Sequence, residues 1–161
     1  MKKLLIGSVA FLTGAITSFL AIKFYNKKNK ENKEMSGENK FRLYYNVANG
    51  WLLLKNSKRS LVEYFHRNDI KKIAIYGMGE LGCRFLEEMS ESDVEVVCAI
   101  DAKPENIDAD INVLQVGTPI REEVDAIVVT AVFAYNNIEK DLKKYLNCRI
   151  ISLKDVIYSM I

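Results

Sequence analysis

The sequence predicts an α/β fold: one open parallel sheet of about five strands with flanking helices, preceded by an N-terminal transmembrane helix. Three observations predict it. From residue 70 onward short apolar runs alternate with amphipathic stretches, the pattern of parallel strands joined by crossover helices. A G-x-G-x-x-G turn stands between the first run and the first amphipathic stretch. Residues 4–22 form an uncharged, mainly apolar block.

That block, LLIGSVAFLTGAITSFLAI, matches the roughly 20 residues a helix needs to cross a hydrocarbon core of about 30 Å. The rival reading is a cleaved signal peptide, whose apolar stretch would be about 7–15 residues long and end in a small-x-small site. Here the run continues through Phe19, Leu20 and Ile22 into Lys23, and SFLA matches such a site poorly. Residues 1–25 are therefore expected to be an uncleaved, single-pass membrane anchor. Lys2 and Lys3 precede it, and Lys23, Lys27, Lys28, Lys30 and Lys33 follow it. The larger positive count on the C-terminal side places the following domain in the cytoplasm, at the inner membrane. Gly7, Ala10, Gly14, Thr17 and Ala21 share one stripe of this helix. The stripe would let two copies pair as a homodimer, although such residues are ordinary in membrane helices. Residues 26–40, NKKNKENKEMSGENK, have too few apolar side chains to fold alone and read as a tether.

Residues 41–68 read as a helical preface. In FRLYYNVANGWLLL the apolar positions make a broad helical stripe, and Ser57 is placed to cap a second helix carrying Leu61, Val62 and Phe65. Trp51 and His66 are expected as packing residues, with the preface against a sheet edge. Residues 69–161 form the sheet domain. The expected strands are Ile70 to Tyr76, Val94 to Ile100, a short one near Asn112 to Val116, Ala126 to Thr130, and Arg149 to Ser152. The expected helices follow Gly79, run from Tyr135 to Leu146 with Tyr145 inward, and close the chain after Ser152. TPIREEV is expected as a turn or short helix.

The chemistry concentrates in Gly77-Met78-Gly79-Glu80-Leu81-Gly82. The first glycine permits the tight strand-to-helix turn, the second lets a pyrophosphate approach the backbone, and the third lets the helix lie close on the strand. Free amides at the helix start would hold the phosphate. Asp101, at the tip of the second strand, stands where an acid accepts ribose hydroxyls, and Thr130 stands at the tip of the fourth. This context makes the domain a Rossmann-like nucleotide-binding one, with NAD or NADP as cofactor. NAD is favoured because the Asp101 carboxylate would repel a 2′-phosphate, although Lys103 lies near enough to pair with one. Asn136 and Asn137 either cap the following helix or reach the ligand.

Other chemistries are poorly served. A formal net charge of +2 argues against a nucleic-acid partner. Cys83, Cys98 and Cys148 are odd in number and far apart, and the single histidine has no second imidazole near it, so neither a disulfide frame nor a metal site is expected. Cys83 falls at a helix start but reads as a packing thiol. No lysine lies four residues after any tyrosine, which removes the usual dehydrogenase acid–base pair, and no substrate domain is expected after the fifth strand. A methyltransferase would also use a glycine turn and a strand-end acid, but Tyr76 occupies the position before the turn where an acid is usual.

The stretch from Trp51 to Met89, together with VVCAID and VDAIVVTA, resembles small NAD(P)-binding Rossmann domains of the nucleoside-diphosphate-sugar epimerase or dehydratase type from bacterial surface-polysaccharide clusters. The resemblance spans roughly residues 41–158. It implies a nucleotide or nucleotide-sugar ligand, a cell-envelope setting and a glycosyltransferase as partner. The chain departs from true epimerases in lacking their Tyr-Lys pair and substrate domain. The resulting expectation is an accessory or sensing module, the alternative being an NAD-dependent sugar-nucleotide epimerase or reductase completed by a partner chain.

Overall fold

The apolar runs pair as a wholly parallel sheet of five strands in the order β3-β2-β1-β4-β5. The computed structural model describes residues 37–161, so the expected anchor and most of the expected tether lie outside the described residues. The strands are β1 (Lys72–Tyr76), β2 (Glu95–Asp101), β3 (Val113–Gln115), β4 (Ala126–Val129) and β5 (Arg149–Ser152). The helices are α1 (Gly37–Asn56), α2 (Val62–Arg67), α3 (Glu80–Ser90), α4 (Tyr135–Leu142) and α5 (Leu153–Tyr158). Among the described residues no helix is long and apolar enough to cross a membrane.

Pleat alternation divides β1 between two apolar layers. Ile73 and Ile75 join a large core with Val47, Trp51, Phe65 and Phe85, while Ala74 faces a smaller one with Cys98 and Ile127. Helices α1, α2, α3 and α5 all contribute to the large core; α4 and the β3–β4 loop cover the smaller. All four residues of β4 are buried, as a central strand covered on both faces requires. Between Ile73 and Ala74 the β1–β2 register jumps from Val96 to Cys98, so Val97 is an extra residue. The two neighbours Val97 and Cys98 therefore both lie against the smaller layer.

Several boundaries and contacts differ from those the sequence predicts. Helix α1 starts at Gly37, so residues 37–40 of the expected tether are helical. The apolar stripe nucleates the helix and propagation through a polar turn costs little, aided by the Glu38–Arg42 pair at 3.2 Å. The preface packs on a face rather than at a sheet edge, because its stripe of Val47, Trp51 and Leu54 needs more apolar surface than an edge offers. Ser57 does not cap α2: its hydroxyl donates to the Leu53 carbonyl at the end of α1, and Ser60 Oγ instead receives the Val62 amide.

Residues 118–124 form no helix. Only Ile120 and Val124 of that segment pack inward, and Pro119 withholds a donor. Helix α4 ends at Leu142, where the Tyr145 amide bonds back to the Leu142 carbonyl, and Tyr145 is 84% exposed instead of inward.

Candidate functional site

The site forms where β1 ends. Tyr76 pairs with Ile100, and the Gly77 amide donates to the Ile100 carbonyl at 2.8 Å, carrying the ladder one residue into the turn. Gly77 then reverses the chain at φ +98°, a conformation that a side chain would strain. At Gly82, one turn into α3, a Cβ would overlap the Gly77 carbonyl oxygen. Thr130 clamps the same carbonyl from the other side: its buried hydroxyl donates to Gly77 O, with Tyr76 O 3.2 Å away. The first and third glycines are thus demanded by the fold itself.

Gly79 is different. Its φ of −74° and ψ of −168° suit any residue, and a Cβ there meets nothing within 4 Å. It is the residue before α3, which has no side-chain cap, so the positive end of the helix and its first amides look into that space.

Asp101 borders the same space. Its Oδ2 accepts the Met78 amide at 2.8 Å and its Oδ1 the Lys103 amide at 2.9 Å. Both oxygens are thereby fixed in direction, and each retains lone-pair capacity for a further donor. Gly77, Gly79, Gly82, Asp101 and Thr130 surround one cavity of about 180 Å³. Leu81 borders it and is otherwise buried; Met78 is buried, while Glu80 is exposed beside the turn. Thr130 braces the turn with its hydroxyl and does not present it to the cavity.

A second cleft, of about 630 Å³, abuts the first across the strand ends. Tyr76 and Ile100 line it, and their chain neighbours Gly77 and Asp101 line the small cavity. Its walls are mainly apolar, with Ile120 from the β3–β4 loop facing Ile138 and Leu142 of α4. Neither Asn136 nor Asn137 caps α4, which starts after Ala134 without a side-chain cap; Asn137 borders this cleft instead. Burial raises the Tyr76 hydroxyl above its usual range, with Asp141 and Asp101 adding to the shift, so it stays protonated near neutrality.

The preface supplies a site residue that the sequence did not single out. Tyr44 of α1 lines the small cavity, with its ring 5.9 Å from that of Phe133 in the β4–α4 loop. One turn earlier, Lys40 Nζ sits 4.9 Å from the centroid of the same Phe133 ring. The spacing of residues 40, 44, 47 and 51 signals one helix face, but nothing local says that its first turns lie against the glycine turn.

Trp51 and His66 are outside this site. The Trp51 indole is buried, and its N–H donates to Glu88 Oε2 at 2.7 Å. His66 is exposed and stands 2.7 Å from Asp93, a surface pair in place of the expected packing role. Cys83, Cys98 and Cys148 are free thiols, Cys83 half-buried with Sγ 3.5 Å from the Met78 carbonyl. Among the described residues no cluster of three potential metal ligands occurs.

A family model described as C2185-like, N-terminal, matches residues 69–155. No curated protein and no solved structure matches the chain.

Proposed function

The chain belongs to the C2185-like N-terminal family, whose description names no activity, and from its site we propose that it is a Rossmann-like nucleotide-binding module tethered to the cytoplasmic membrane. The observation that carries the reading is the contrast among the three glycines. Gly77 and Gly82 are required by the turn, whereas Gly79 leaves open the space in front of the α3 amides, where a phosphate would sit. Asp101 supports it, with both carboxylate oxygens pre-aimed at the tip of β2. The strand order supports it too, since β3-β2-β1-β4-β5 reverses between β1 and β4, where ligands bind in sheets of this kind.

In this reading the phosphates lie on Gly79, Glu80 and Leu81, the ribose hydroxyls on Asp101, and the base in the apolar cleft beyond Tyr76 and Ile100. The ligand is NAD(H), favoured over NADP by Asp101, or a nucleotide sugar. The accessory role in envelope polysaccharide synthesis, beside a glycosyltransferase, rests on the sequence resemblance. The anchor rests on the composition of residues 4–22.

Calorimetric titration of the full-length chain with NADH, a UDP-sugar and S-adenosylmethionine tests the assignment. Heat is expected with NADH or the UDP-sugar. Gly79→Val is expected to abolish that heat while leaving the melting temperature within a few degrees, because only the ligand needs the space a side chain would fill. Silence with all three ligands would sink the proposal, and heat with S-adenosylmethionine alone would redirect it to a methyl donor.

A further inference from the structure

We propose that Tyr44 of helix α1 is a phosphate ligand: its phenol donates a hydrogen bond to the group held over the glycine turn, so the binding site is complete only with the preface. The inference rests on the nucleotide-binding reading above and adds a specificity-determining residue to that site.

Among the described residues, no lysine or arginine lines the cavity of about 180 Å³ over the glycine turn. A phosphate there is met by the first amides of α3 and by the neutral side-chain donors that border the space. Two lining residues carry such a donor, Thr130 and Tyr44. The Thr130 hydroxyl is committed to the Gly77 carbonyl. Asp101 is an acceptor, already fixed by the Met78 and Lys103 amides. Tyr44 is left as the side chain able to donate to a phosphate oxygen.

Tyr44 suits that task. It is half-buried, with its ring 5.9 Å from that of Phe133. Burial raises its hydroxyl above the usual range, so near neutrality it stays protonated and a donor. Among the described residues that hydroxyl has no hydrogen-bond partner, although a tyrosine withdrawn from water ordinarily has one. A phosphate oxygen in the space left open by Gly79 would supply it.

The side chain is also held in place before any ligand arrives. Val47, Trp51 and Leu54 of α1 are buried, and Glu88 on α3 receives the Trp51 indole N–H at 2.7 Å and pairs with Lys55 at 3.0 Å. A donor fixed in advance gives up little conformational freedom on binding. Tyr44 precedes the stretch 69–155 that matches the family model. The contact thus comes from outside the matched domain, from the helix that follows the proposed tether.

Calorimetric titration and phosphorus NMR of the full-length chain with NADH and with UDP-glucose test this. Whichever ligand binds should lose about tenfold in affinity in Tyr44→Phe, the worth of one hydrogen bond to a charged group. That variant keeps the ring against Phe133, so its melting temperature should stay within a few degrees of the unsubstituted chain's. The phosphorus resonances of the bound ligand should also differ between the two proteins, a change that a packing role for the ring would not produce. Unchanged affinity or unchanged phosphorus resonances in Tyr44→Phe overturns this inference and leaves the nucleotide reading standing. Absence of binding by both ligands to the unsubstituted chain overturns both.

Discussion

Gly82 lies so close to the Gly77 carbonyl that the two residues form one structural unit, with Thr130 completing it from β4. A methyl group at Gly82 forces α3 away from β1, and one at Gly77 must adopt a left-handed φ. Gly82→Ala is therefore expected to cost about 3 kcal/mol and Gly77→Ala about 1–2 kcal/mol. Gly79→Ala should stay within about 1 kcal/mol, the difference between glycine and alanine at an uncapped helix start. Denaturant melts of the three variants check the ranking; equal losses at all three would remove the case for Gly79 as an opening. The glycine spacing and Asp101 were readable from the chain because turn and strand-end chemistry is local. Thr130 was readable only as a strand end, since where its hydroxyl points depends on a carbonyl more than fifty residues earlier in the chain.

Among the elements, α1 depends on one carboxylate. The side chain of Glu88 is 5% exposed and accepts from Ser60 Oγ, the Leu61 amide and the Trp51 indole, besides pairing with Lys55. Burial pushes its carboxyl up, but the hydrogen bonds from Ser60, Lys55, Leu61 and Trp51 outweigh this and hold it below the usual value. A carboxylate lowered in the folded state contributes stability above its unfolded value of about 4.3, and that contribution fades as pH falls through the folded one. Stability should thus be level from neutral pH to about 5 and decline below about 4, and Glu88→Gln should flatten that decline. Glu88→Ala leaves buried donors unmatched and is expected to cost about 3 kcal/mol. Trp51 is the single tryptophan, so its emission should shift to longer wavelength in that variant as α1 loosens. Unchanged emission would show that α1 is held without Glu88.

For the whole molecule, the parallel sheet leaves its two faces unequally covered, with four helices over one and α4 plus a loop over the other. The thinner side is where the large cleft opens, beside the strand ends that carry Asp101 and the glycine turn. The proposed membrane tether belongs to this scale as well. The full-length chain is expected to remain in the membrane pellet after an alkaline carbonate wash, while a chain lacking residues 1–36 stays in the supernatant. Release of the full-length chain by the wash would remove the spanning anchor.

The order of strands and helices, the glycine turn and the acid at the tip of β2 were determined by the sequence alone. Each follows from periodicity or turn chemistry within about ten residues, and parallel crossovers then allow few arrangements. The tertiary structure decided that the preface lies on a sheet face, that Tyr44 reaches the glycine turn, and that Glu88 holds α1 through Trp51 and Lys55. Trp51 and Glu88 are 37 residues apart in the chain. An amphipathic helix records which of its faces is buried, whereas what that face is buried against is set only when the whole core packs.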